Sequence, residues 1–136
     1  MSFTAYPNPS RLQGKTIVIT GAGRGIGAAC AARYAAEGAS VVAADIDDES
    51  LSRLVASVDS SGGAIASRVV DVREPRQLEE LRAFAVERFG SLNGWHNNAF
   101  ASVFKAIYEQ TLEEFDTTIE ISLRAYWYGA KLAVEH

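Results

Sequence analysis

Lys15-Thr16-Ile17-Val18-Ile19-Thr20-Gly21-Ala22-Gly23-Arg24-Gly25-Ile26-Gly27 is the stretch whose reading decides the fold. Residues 15–20 are a short β-branched, apolar run, the composition of a buried strand. The glycines that follow permit a tight turn and a close approach of a ligand to backbone amides. The Ala-rich residues 26–37 then read as a helix, with Gly38 at its C-terminal end. A helix opening directly from such a loop presents free N–H groups and partial positive charge, the requirements for holding a phosphate. Residues 40–45 (SVVAAD) form a second buried strand. It ends in Asp45, 24 residues after Gly21, where a carboxylate can accept hydrogen bonds from an adenosine ribose.

The same alternation runs outward along the chain. Leu51, Leu54, Val55 and Val58 share one helical face, and Ser60-Ser61-Gly62-Gly63 ends that helix. Residues 64–70 read as a third strand. Pro75 opens the next helix, with Leu78, Leu81, Ala85 and Phe89 on one face, and Gly90 closes it. Residues 92–97 are a weaker fourth strand. Thr111 and Glu114 make a capping box before a long helix over 112–135. Strand–helix alternation repeated four times predicts an α/β fold, a Rossmann-type doubly wound parallel sheet. Right-handed crossovers give the strand order 3-2-1-4, with a ligand crevice between strands 1 and 4. Residues 1–13, broken by Pro7, Pro9 and Ser10, are expected to be an irregular arm, and residues 14–136 one dinucleotide-binding domain.

Composition narrows the function. The chain has 136 residues, with 13 Lys+Arg against 17 Asp+Glu and a net charge of −4. A mildly acidic chain is a poor partner for nucleic acid or an anionic membrane, and no apolar run approaches the length of a span. A single cysteine, Cys30, cannot form an internal disulfide, and residues 1–7 lack the pattern of a secretory signal. A cytoplasmic location is expected. Two histidines and one cysteine are too few for a structural zinc site, and no metal is expected. Gly14-Lys15-Thr16 mimics the end of a Walker A loop. The glycine required five positions earlier is Pro9, and the lysine begins a strand, so an ATPase is excluded.

Two registers fit the glycines. Gly23, Gly25 and Ala28 satisfy G-x-G-x-x-G/A, while Thr20, Gly21, Gly25 and Gly27 satisfy T-G-x-x-x-G-x-G. Three further features accompany the second register: Asp71-Val72 after strand 3, Asn97-Asn98-Ala99 after strand 4, and Thr111-Leu112-Glu113-Glu114-Phe115-Asp116 at the start of the last helix. Together these motifs, covering essentially everything after Ser10, resemble the short-chain dehydrogenase/reductase family. The resemblance implies an NAD(P)-dependent oxidoreductase that moves a hydride between nicotinamide and an alcohol or carbonyl. It implies cofactor contacts from Gly21, Gly23, Arg24, Gly25, Ile26 and Gly27 in the loop, and from Asp45 and Ile46 after strand 2. Asp71 would face the adenine, with Val72 beside it among the cofactor contacts, and Asn97 and Ala99 would complete the site.

NAD is expected over NADP, because Asp45 would repel a 2′-phosphate. Arg24 is either a phosphate ligand that opposes this preference or a solvated loop charge. In the family the long helix commonly forms a subunit interface, which implies a homo-oligomer. Tyr126, Trp127 and Tyr128 cannot all face one core, so at least one should be exposed or meet a partner. His96 is expected to be an ordinary strand residue, and Cys30 a small core residue.

The family's chemistry uses a Tyr-x-x-x-Lys pair and a Ser, assisted by an Asn. Here Lys15, Lys105 and Lys131 follow Arg11, Ala101 and Trp127 by four residues, so the pair is not among these residues. In the family it lies on strand 5 and the following helix. The chain is therefore expected to carry the cofactor-binding half alone, with no catalytic residue beyond Ser122 at the position of the assisting Asn. Phe100 replaces the glycine of the family's N-N-A-G motif, and either narrows the nicotinamide side of the crevice or turns outward. Three functions compete: an oxidoreductase polypeptide whose catalysis needs sequence beyond His136, a non-catalytic nucleotide-binding module, and a non-functional truncated fragment with strand 4 as an unprotected edge. The substrate is not legible in this stretch.

Overall fold

The computed structural model describes residues 10–135, so the expected arm is described only over its last four positions. Residues 10–14 form a turn laid against the body of the protein. The Leu12 amide donates to the Glu37 carbonyl at 2.9 Å, and the Leu12 side chain packs on the core. The elements that follow are β1 (Thr16–Thr20), α1 (Gly25–Ala36), β2 (Ser40–Asp45), α2 (Asp48–Ser60), β3 (Ala64–Val69), α3 (Pro75–Phe89) and β4 (Gly94–His96). A 3-10 turn (Ile107–Glu109) precedes α4 (Leu112–Ile119), a π-helical turn (Glu120–Arg124) and α5 (Ala125–Val134). The four strands pair in parallel in the order β3-β2-β1-β4, as the alternation predicts.

The sheet is buried on both faces, which is why β1 and β2 read as continuous apolar runs. Ile19, Val41, Ala43 and Ile65 pack with Ala31, Ala35, Leu51, Leu54 and Val58 of α1 and α2. The alternate residues Val18, Val42 and Ala44 pack with Leu78, Leu81 and Ala85 of α3 and with Ala125 and Leu132 of α5. Local signals set the helix ends. Asp47 caps α2 by accepting from the Ser50 amide at 3.1 Å. Pro75 begins α3, and Gly90 ends it with φ +80°. Thr111 and Glu114 make both bonds of the capping box on α4.

Two expectations are corrected. The fourth strand is three residues long instead of six, since among the described residues it pairs with β1 alone. Leu92 is still buried, and Asn93 bridges to Thr16 through both its amide N–H and its side-chain oxygen, at 2.8 Å each. The expected single helix over 112–135 is interrupted at Glu120–Arg124, where the Ala125 amide donates to the Glu120 carbonyl, five residues back. This turn is anchored at its middle and just beyond its end. Ser122 Oγ donates to the Ala101 carbonyl at 3.3 Å, and farther on Asn97 Nδ2 donates to the Tyr126 carbonyl at 3.0 Å. Among the described residues, no helix is long and apolar enough to cross a membrane. No group of three His, Cys, Asp or Glu among them could hold a metal ion.

Candidate functional site

The glycine loop joins β1 to α1 and is held by the end of β2. Gly21 and Gly25 adopt left-handed φ values of +66° and +57°, which L side chains rarely tolerate. The Ala22 amide donates to the Ala44 carbonyl at 3.0 Å, and the Gly23 amide to Asp45 Oδ2 at 2.8 Å. Asp45 Oδ1 accepts from the Asp47 amide at 3.1 Å. At Gly27 there is no room for a side chain: a Cβ would stand 2.1 Å from the Gly21 carbonyl oxygen. Above Gly25 the space is open, with nothing within 4 Å of where a Cβ would lie. Unlike α2 and α4, α1 has no side chain capping its N-terminus; Arg24 sits at that position, exposed. A tight, uncapped cradle beside open space suits an anion such as pyrophosphate.

On the other side of β1, Asn98 fastens β4 to the loop. Its Nδ2 donates to the carbonyls of Thr20 and Gly21 at 3.0 and 2.9 Å. The amides of Asn98 and Ala99 both donate to Thr20 Oγ1 at 3.2 Å. Asn97, expected in the site, is turned toward α5, since successive side chains leaving a strand point to opposite faces. Its Nδ2 donates to the Tyr126 carbonyl, and its Oδ1 accepts from Trp95 Nε1 at 3.1 Å. At the end of β3, Arg73 Nε donates to both Asp71 oxygens at 3.0 Å. That guanidinium holds the Asp71 carboxyl below the usual carboxylate range.

These segments enclose a cavity of about 570 Å³ at the carboxyl ends of the strands. Gly21, Arg24, Ile26, Gly27, Asp45, Ile46, Asp71, Val72 and Ala99 of the expected set line it; Gly23, Gly25 and Asn97 do not. Ile26 and Ile46 are 74% and 72% exposed, apolar surface flanking the mouth. The lining also includes Val70, Arg73, Asn98, Ala101 and Ile121, which the sequence reading did not place there, and Phe100, for which it left open a place in the crevice or an outward turn. Strand alternation singles out Asn98 once the strand's facing is known. Ile121 has no comparable signal, because the π turn sets which helical residue reaches the cavity.

Other singled-out residues fall outside this lining. His96 lies on β4, and its Nδ1 is 3.0 Å from the Tyr34 hydroxyl. Cys30 is half-buried against the core. Trp127 is 61% exposed, whereas Tyr126 and Tyr128 are half-buried. Tyr128 donates its hydroxyl to Glu79, which raises its pKa, and burial raises those of Tyr34 and Tyr126.

The model of the short chain dehydrogenase family matches residues 15–136. A 3beta-hydroxysteroid dehydrogenase 1 of Eggerthella lenta is 36% identical over 126 residues, spanning 92% of this chain and 48% of that protein. A versicolorin reductase of Emericella nidulans is 35% identical over 127 residues, spanning 93% of this chain and 48% of that protein. Among solved structures, a short-chain dehydrogenase/reductase of Serratia marcescens superposes with a TM-score of 0.88 at 28% identity. That match covers 92% of this chain and 51% of that one. The chain thus spans about half the length of the curated relatives it matches.

Proposed function

The chain belongs to the short-chain dehydrogenase/reductase family of NAD(P)-using oxidoreductases, and from that premise we propose that residues 14–136 form the half that binds and orients nicotinamide dinucleotide, with NAD(H) preferred. The observation that carries this reading is the convergence of the uncapped α1 N-terminus, Asp45 and Asp71 on one cavity. In this reading the first-turn amides of α1 hold the pyrophosphate. Asp45 accepts the hydroxyls of the adenosine ribose, Ile46 and Val72 flank the adenine, and Asp71 lies beside its edge. Arg24 stays in solvent. When bound, the dinucleotide supplies the hydride acceptor or donor for an alcohol–carbonyl pair. Titration calorimetry tests the reading: saturable one-to-one binding of NAD+, competed by ADP-ribose, is the expected result. Failure of both ligands to bind the folded chain would overturn it.

Assembly is part of the same proposal. Phe115, Ile119, Leu123 and Trp127 follow one another at intervals of four, and all four are at least partly exposed. The first half of this helical course carries Glu113, Glu114, Asp116 and Glu120, and the second carries Arg124 and Lys131 against the single acid Glu135. Two copies packed antiparallel bring the acidic half of one against the more basic half of the other, so an antiparallel two-fold pair is favoured over a parallel one. A sedimentation profile that stays monomeric at high concentration would exclude the pair.

A further inference from the structure

We propose that Phe100 is an aromatic platform on the cavity wall, against which the nicotinamide ring of the bound dinucleotide lies. The inference rests on the cofactor reading above and assigns a role to a residue that reading leaves idle. Phe100 lines the cavity and is 67% exposed. Its two neighbours are tied from opposite sides. The Ala99 amide donates to Thr20 Oγ1 of β1 at 3.2 Å, and the Ala101 carbonyl accepts from Ser122 Oγ of the π turn at 3.3 Å. Backbone held at both flanks of Phe100 leaves less main-chain freedom to lose when a ligand packs on its ring.

The sheet order gives the platform its partner. Asp45 and Asp71 stand at the ends of β2 and β3, and the glycine loop follows β1. With the adenosine half over β2 and β3 and the phosphates at α1, the remaining half of the dinucleotide extends over the end of β4. The wall there is Asn98, Ala99, Phe100 and Ala101, joined by Ile121, with no charged side chain. The charged lining residues, Arg24, Asp45, Asp71 and Arg73, all come from the β1, β2 and β3 ends. An uncharged wall carrying one aromatic ring is suited to a flat heteroaromatic ring, which is also cationic in its oxidised form.

The test separates the nicotinamide end from the adenosine end. NAD+ and ADP-ribose are titrated into the wild-type chain and into its Phe100→Leu and Phe100→Tyr variants. Phe100→Leu keeps apolar bulk at an exposed position and removes the π-face. It should weaken NAD+ binding about two- to tenfold, the scale of an aromatic pair, and leave ADP-ribose unchanged; Phe100→Tyr should restore NAD+ binding. Unchanged or tighter NAD+ binding by Phe100→Leu overturns the platform, as does an equal loss for ADP-ribose. A wild-type chain that binds neither ligand overturns the cofactor reading and the platform with it. Normal wild-type binding with an indifferent Phe100→Leu variant overturns the platform alone.

Discussion

Asp45 Oδ2 accepts a hydrogen bond from the Gly23 amide at 2.8 Å, so the acid at the end of β2 and the glycine loop form one unit. The Asp47 amide holds the other oxygen at 3.1 Å. Each carboxylate oxygen retains a second lone pair for a ribose hydroxyl. The carboxylate is thus aimed before any ligand arrives, and a 2′-phosphate would meet a fixed negative charge. NAD(H) should bind more tightly than NADP(H) by about 1–3 kcal/mol, the scale of a charge-assisted hydrogen bond gained or lost. Asp45→Ala should narrow that difference in paired calorimetric titrations. Equal or tighter binding of NADP(H) by the wild type would mean that Arg24 dominates.

Gly27→Ala should damage the site from within. The new Cβ would lie 2.1 Å from the Gly21 carbonyl oxygen and 2.6 Å from Asn98 Nδ2, and the nearer atom is backbone. Relief requires the loop or α1 to move, at a cost of about 1–3 kcal/mol. Gly62→Ala is the control: φ is +77° but nothing stands within 4 Å, so only backbone strain of about 1 kcal/mol applies. Thermal unfolding with and without NAD+ should show the Gly27 variant losing most of its ligand-induced shift and the Gly62 variant retaining it.

The two adjacent asparagines should separate cleanly. Asn98→Ala removes two hydrogen bonds to the carbonyls of Thr20 and Gly21, loosening the loop, and should cost about 1–2 kcal/mol of stability with weaker NAD+ binding. Asn97→Ala instead frees the Tyr126 carbonyl and Trp95 Nε1, so α5 loses part of its seat while the cofactor affinity holds. A Kd that rises for Asn97→Ala and not for Asn98→Ala would reverse these assignments.

These asparagines also mark where sequence reading stops. The strand order, the capping box at Thr111 and Glu114, and the acid at the end of β2 follow from local chemistry, and the structure bears each out. An N-N dipeptide does not reveal which amide faces the cavity, because that depends on the register of a three-residue strand against β1. The π turn at Glu120–Arg124 is hidden for a related reason. Apolar spacing over 112–135 suits an α-helix, and the extra residue in one turn accompanies contacts with the distant Ala101 and Asn97, which local spacing does not encode. Gly129 is a third case. A Cβ there would meet Trp95 Nε1 at 2.4 Å, a close approach that helix propensity alone would discourage.

Acid should loosen the end of α1. Glu37 is buried under the guanidinium groups of Arg11 and Arg33, and the Arg11 hydrogen bonds lead in lowering its pKa from 4.5 to about 2. A carboxyl depressed in the folded state contributes stability that is complete above its unfolded pKa and is lost as pH falls through the folded one. The contribution should therefore decline from about pH 5 to pH 2. Urea midpoints measured across that range should fall more steeply for the wild type than for Glu37→Gln. Parallel slopes would show that Glu37 is not the linked group.

The polypeptide of residues 1–136 should bind cofactor without turning over. Positioned acid–base groups contribute about 10²–10⁴-fold each to such reactions, and a tyrosine that exchanges a proton near neutral pH needs a lowered pKa. Tyr34, Tyr126 and Tyr128 are all shifted upward, the first two by burial and the third by its bond to Glu79. Lys131 Nζ lies 5.7 Å from the Tyr128 ring centroid and bridges to Glu135 at 3.5 Å, which does not reproduce a lysine poised beside a tyrosine hydroxyl. Ser122 spends its hydroxyl on the Ala101 carbonyl. Nicotinamide absorbance followed with a panel of alcohols and carbonyls should stay at the uncatalysed rate, while calorimetry on the same preparation shows a folded, binding-competent chain. Turnover that scales with protein and disappears in Tyr128→Phe would mean that the Glu79 bond opens to expose a working acid. Turnover lost instead in Ser122→Ala would move the chemistry to the π turn.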